Sequence, residues 1–228
     1  MLLSIDTSTH SASLCLNRNR QLIAERTLAG DGRRHAQTLV LEAAQLLDEH
    51  SLTTKNLTAV AVSAGPGSFT GLRVGIVFAK TLAWLHQIPL FAVDTLQALA
   101  QQLVPGEHLS ATAKSVLVIS DAQRNEVFAR EYHYTPEISL WLPAGQLKIT
   151  KPADLASYPI IAGPAVSKHL TVFQAFPQPP LCIELHPSSA AVAAVAQYLL
   201  EINESTDPST LEPLYVRPSY AEEKRNAR

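Results

Sequence analysis

Apolar residues run without interruption from Leu2 to Ile5 and stop at Asp6, except for Ser4, which predicts a buried strand ending in a carboxylate. Ser11 to Leu16 alternates polar with apolar side chains, Asn17-Arg18-Asn19-Arg20 turns, and Gln21 to Leu28 returns, so the chain opens as a meander. A polar loop from Ala29 to Arg34 follows, and then the period changes. Leu39, Val40, Ala43, Leu46 and Leu47 fall at three- and four-residue steps, which predicts an amphipathic helix from His35 to His50. Thr58 to Ser63 is the next strand. Gly65-Pro66-Gly67-Ser68-Phe69-Thr70-Gly71 breaks it and leads into a second helix over Leu72 to His86. From Val74 to Leu85 only Lys80 and Thr81 are clearly polar, so this helix needs cover nearly all round, from the preceding helix or from a second subunit. Pro89 to Val93 is a strand, and Asp94 is placed to cap a helix over Thr95 to Leu103.

Val104 to Lys114, with Pro105-Gly106, reads as a linker. Beyond it the opening pattern returns: Ser115 to Asp121 is an apolar run ending in aspartate, followed by a turn and an alternating strand from Val127 to Tyr134. Ile138 to Ile149 is expected to supply a third strand, Ile160 to Ala162 another, and Ser188 to Ile202 a closing helix. Strand, aspartate, turn and strand thus occur twice, half a chain apart. The expected organisation is α/β in two lobes, 1–106 and 107–228, with a partly mobile tail from about 207.

Composition narrows the class. At 228 residues, 46% hydrophobic and 17% charged, the chain has material for a packed globule. Its formal charge of −2 provides no general attraction to nucleic acid. The start lacks a basic n-region, the longest greasy stretch is too short to span a bilayer, and Cys15 and Cys182 read as buried free thiols, so a cytoplasmic protein is expected.

Candidate chemistry is sparse. Asp6, Thr7 and Ser8, at a strand end, are placed to meet phosphate or a magnesium water, or simply to cap the turn; no glycine there admits a close phosphate. The Gly65–Gly71 loop is an anion cradle at a helix start or a device for close packing, and it lacks the Gly-Lys-Ser/Thr of a P-loop. Asp121 either faces Asp6 across a cleft or belongs to an ordinary hairpin. The eight histidines place no two on one helix turn, and no Gly-x-Ser-x-Gly elbow occurs, so metal and serine-hydrolase signatures are absent.

Ala61 to Gly75, with its Gly-Pro-Gly-Ser-Phe-Thr-Gly-Leu-Arg core, resembles the hallmark segment of the bacterial TsaB (YeaZ) family. Met1 to Ser8, Asp121 to Phe128 and Leu214 to Glu222 resemble its other landmarks, in order. The resemblance implies two ribonuclease-H-like lobes of the actin, sugar-kinase and Hsp70 (ASKHA) type. It implies a non-catalytic subunit of the machinery that makes N6-threonylcarbamoyladenosine on tRNA, bound to TsaD, joined by TsaE, a homodimer when TsaD is absent, and touching tRNA only through the complex. No cofactor is expected in the isolated chain, with ATP or ADP at most at a subunit junction. Asp6, Thr7, Ser8 and Asp121 would then be vestigial phosphate-side positions. The partner interface would use His35, Leu39 and Leu46 on the first helix, and Arg73, Val74, Val77, Lys80, Thr81 and Trp84 on the second. Two departures stand out: His35-Ala36-Gln37 where the family often has His-Ser-Glu, and Asn125 where it often has glycine. The competing reading is a nucleotide-dependent ATPase or small-molecule kinase using Asp6, Thr7 and Asp121.

Overall fold

The computed structural model describes residues 1–28 and 35–216; the loop expected at 29–34 and the tail beyond Val216 lie outside the described residues. The first sheet holds β1 (Leu2–Asp6), β2 (Ala12–Arg18), β3 (Gln21–Leu28), β4 (Ala59–Gly65) and β5 (Leu90–Asp94) in the order β3-β2-β1-β4-β5. The meander is antiparallel, while β4 and β5 run parallel to β1. Parallel partners need crossovers, and α1 (His35–Asp48) and α2 (Phe69–His86) supply them. Both lie on one face, where Leu39, Ala43, Leu46, Ile76, Ala79 and Leu82 close over Leu3, Ile5, Val60 and Val62.

The second sheet repeats the plan. Its strands are β6 (Ser115–Asp121), β7 (Val127–Thr135), β8 (Leu140–Pro143), β10 (Ile160–Ala162) and β11 (Leu181–Ile183), ordered β11-β10-β6-β7-β8. The third strand expected from Ile138 to Ile149 is split, because β8 and β9 (Lys148–Thr150) pair with different stretches of β7. The repeat reaches the loops as well. Ala64-Gly65-Pro66 at the end of β4 and Ala162-Gly163-Pro164 at the end of β10 each hold their glycine at positive φ, +117° and +128°, a few residues before a helix, α2 or α4 (Val166–Gln174). Helix α4 has no counterpart among the expected elements. The two-sheet α/β architecture is the one the sequence predicts.

Two helices reach across the boundary expected at residue 106. Helix α3 (Thr95–Ala100), capped by Asp94 Oδ1 accepting from Leu96 N and Gln97 N, places Leu96, Leu99 and Ala100 in the core of the second sheet, beside Val116, Val118, Tyr132 and Trp141. Helix α5 (Ser189–Glu201), expected to complete the second lobe, instead covers the open face of the first sheet. There Val192, Val195 and Ala196 meet Leu2, Ala61, Phe91 and Val93. Its N-terminus is fixed to that sheet by polar groups as well: Glu25 Oε1 accepts from Ala190 N, Ser188 Oγ and Ser189 Oγ, while Ser13 Oγ accepts from Ser189 N. Each lobe therefore lends a helix to the other. The described part of the segment expected as a tail is fastened to the first sheet at several points. Thr206 N donates to Leu90 O at 2.7 Å, Leu211 is buried in the first core, and Leu214 N donates to Ala64 O at 2.8 Å.

Candidate functional site

The strand end Asp6-Thr7-Ser8 sits under the start of α2, and the contact is as close as backbones allow. A Cβ on Gly67 would lie 2.5 Å from Ser8 O, one on Gly71 2.1 Å from Thr7 O, and one on Gly75 2.2 Å from Thr7 Oγ1. Ser68 N donates to Ser8 O at 2.7 Å, and Ser68 Oγ caps the helix by accepting from Gly71 N. The two readings left open for the glycine loop are thereby separated: these glycines admit the chain's own Thr7–Ser8 backbone, which fills the space an anion would need beside them.

Asp6 is sealed beneath this contact. Its Oδ1 accepts from Ser8 N at 3.0 Å and Ser8 Oγ at 2.9 Å. Burial raises its carboxyl above the ordinary aspartate range, and the Ser8 hydrogen bonds oppose this only in part. Thr7 is equally buried, and its Oγ1 makes no hydrogen bond.

Between the lobes lies a cleft of about 660 Å³. Ser8 and Asp121 both line it, as do Phe69, Phe128 and Tyr215, whereas Asp6 and Thr7 do not. Asp121 Oδ2 accepts from Lys168 Nζ at 2.8 Å, and its Oδ1 accepts from Gln123 N at 3.0 Å, closing the turn before β7. In that turn Gln123, Arg124 and Asn125 all have positive φ, a conformation that asparagine tolerates better than most residues. Asp121 is thus both a hairpin residue and a cleft residue. The residues beside the cleft suit a nucleotide's magnesium poorly: Asp6 is walled off with its carboxyl raised by burial, and Asp121 is paired with a lysine. No cluster of three or more metal-ligating side chains occurs among the described residues.

The second feature is the outer face of α2. Val77, Trp84 and Leu85 are 63%, 78% and 59% exposed, in line with Phe69, Arg73 and Thr81. On α1, Val40 and Leu41 are 58% and 56% exposed. Leu39 and Leu46, expected at the interface, are core residues, because the three- and four-residue steps that mark them point their stripe at the sheet. The side chain of His35 lies outside the described part of the structure. Val74 is half-buried against the core, and Lys80 Nζ donates to Leu211 O at 3.1 Å. Thr81 Oγ1 donates to Val77 O.

Burial, then the charge of Glu25, pushes the Cys15 thiol up to about 12, and half-buried Cys182 is raised by burial too. No helix among the described residues is long and apolar enough to cross a membrane.

A family model described as TsaD, tRNA N6-adenosine threonylcarbamoyltransferase, matches residues 22–214. The chain is 33% identical over 133 residues to the tRNA threonylcarbamoyladenosine biosynthesis protein TsaB of Bacillus subtilis, covering 58% of this chain and 55% of that protein. To the Escherichia coli protein of the same name it is 33% identical over 140 residues, 61% and 58% of the two chains. It thus spans little more than half the length of these TsaB relatives. An uncharacterized protein of Mycobacterium tuberculosis, Rv3421c, is 32% identical over 219 residues, 95% of this chain and 91% of that one. The structure of YeaZ from Pseudomonas aeruginosa superposes with a TM-score of 0.78 at 26% identity, over 94% of this chain and 99% of that one. A polyphosphate/ATP-glucomannokinase from Arthrobacter, TM-score 0.50 at 11% identity over 88% and 98%, shares the fold alone.

Proposed function

The chain belongs to the TsaB (YeaZ) family, within the TsaD family model that covers most of it, and from that premise we propose that it is a non-catalytic subunit of the machinery that installs N6-threonylcarbamoyladenosine on tRNA beside the anticodon. In this reading it binds and supports TsaD, is joined there by TsaE, and pairs with a second copy of itself when TsaD is absent. Contact with tRNA comes through the complex. The observation that carries the reading is the apolar stripe of Val77, Trp84 and Leu85, left uncovered on α2, with Val40 and Leu41 also exposed on α1. Large contiguous apolar faces on soluble proteins are interaction sites, and aromatic side chains anchor such contacts. Val40 and Leu41 take the place in the proposed interface that Leu39 and Leu46 were expected to hold.

Val77→Glu is expected to abolish co-purification with TsaD, since a carboxylate buried in an apolar contact has no partner there. Val77 is exposed in the isolated chain, so the circular dichroism spectrum and melting temperature stay at wild-type values. Retained binding by the folded variant counts against the placement.

The nucleotide-dependent ATPase or kinase reading draws on the interlobe cleft, which Asp121 and Ser8 do line. Against it stand the sealed Asp6 and the Asp121–Lys168 pair. Titration calorimetry of the isolated chain with ATP and magnesium should give no binding heat. A saturable site would reinstate that reading.

A further inference from the structure

The guanidinium of Arg73 is held in a fixed position although it stands at the surface. Its central carbon lies 3.8 Å from the centroid of the Phe69 ring, and its Nε donates to the Tyr215 hydroxyl at 2.7 Å. The Tyr215 ring in turn packs on Phe69, centroid to centroid at 4.8 Å. Tyr215 itself is held there because the closing segment is fastened just before it, through the bond from Leu214 N to Ala64 O and through Leu211 in the core. An exposed arginine normally loses much rotamer freedom when it pairs; this one has lost it in advance.

No ion pair involves Arg73 among the described residues. Its Nε is committed to Tyr215, and its two Nη groups carry the donors left over, a fork that matches a carboxylate. The side chain lines a groove of about 250 Å³ between α2 and the closing segment, with Val77 and Lys80 on one wall and Leu211, Glu212 and Pro213 on the other. Lys80, the other cation of the groove, gives one of its donors to Leu211 O and lacks the planar fork of Arg73.

We propose that Arg73 is a preset receptor for a carboxylate of the partner subunit, placed where the apolar stripe of α2 meets the closing segment. The proposal rests on the docking role assigned above to α2 and adds the chemistry of what docks: an acidic side chain flanked by apolar ones. Two features favour a protein carboxylate over an RNA phosphate backbone. Val77, adjoining Arg73 on the same stripe, calls for apolar cover, and Glu212 inside the groove tolerates a single negative charge better than a row of them. Tyr215 and Phe69 are positioning residues here; they act through Arg73.

The test is calorimetry of the full chain with its cognate TsaD-family partner at two salt concentrations. Arg73→Ala is expected to weaken binding on the order of tenfold and to flatten its salt dependence. Arg73→Lys keeps the charge but loses the fork, so most of the loss should persist. Tyr215→Phe, which keeps the ring stack, should cost a few-fold. Melting temperatures identify any variant that fails to fold, and Arg73→Lys and Tyr215→Phe carry the test if Arg73→Ala does. If the Arg73 variants bind like wild type while Val77→Glu does not, the carboxylate receptor is overturned and the docking role of α2 stands. If Val77→Glu also binds normally, the docking role itself falls. If instead the Arg73 variants keep partner binding and lose binding of tRNA, the ligand is a phosphate and the proposal is overturned.

Discussion

Gly71→Ala is expected to destabilise the fold by about 3 kcal/mol. Alanine is the better helix former by about 1 kcal/mol, so propensity alone predicts a gain. The added Cβ, however, lies 2.1 Å from Thr7 O, and neither group can turn away because one is backbone and the other is bonded directly to it. Relief requires α2 to lift off the end of β1, which breaks the Ser68 N to Ser8 O bond and disturbs Ile76 and Ala79 in the core. Gly145→Ala is the control: nothing lies within 4 Å of the place its new methyl would take, and the change should stay within about 0.5 kcal/mol. Urea unfolding of both variants measures the difference. Equal midpoints would mean that the helix and strand end are not in close contact.

The second large effect concerns pH. Asp6 has its folded-state carboxyl raised by burial, above its value in the unfolded chain. A group raised in this way contributes stability that is fully present below the unfolded value and is lost as pH rises toward the folded one. The loss runs at up to about 1.4 kcal/mol per pH unit within that window. Asp6→Asn keeps an Oδ1 to accept from Ser8 N and Ser8 Oγ, and it has no proton to lose. The variant should match wild type near pH 4 and become progressively more stable than wild type as the pH is raised to neutrality. Denaturant midpoints across that range are the measurement. A difference that does not change with pH would place Asp6 in contact with solvent or with a cation.

The strands were legible because period-two and unbroken apolar runs are local properties: β6 and β10 begin and end where the residues say. The exchange of α3 and α5 was not legible. Periodicity reveals that a helix has an apolar stripe and is silent on which sheet will cover it. On α1 the spacing was right for Leu39, Ala43 and Leu46, which form the inward stripe, and wrong for Val40, which it grouped with them and which stands exposed beside Leu41. The second Ala-Gly-Pro, at 162–164, is a visible sign that the internal repeat extends into its loops and that a helix follows it. For the cleft, the residues leave Asp121 either facing Asp6 or in an ordinary hairpin, and burial of Asp6 depends on α2 lying across it. That contact is set by three glycines whose purpose sequence alone could not distinguish from anion binding.

The reciprocal loan of helices ties the two halves of the chain into one cooperative unit. As synthesis proceeds, the first sheet waits with Leu2, Ala61 and Phe91 bare until residues 189–201 emerge to cover them. Polypeptides severed at residue 106 would each lack a core helix supplied by the other, so they should be insoluble when made separately and reassemble when produced together.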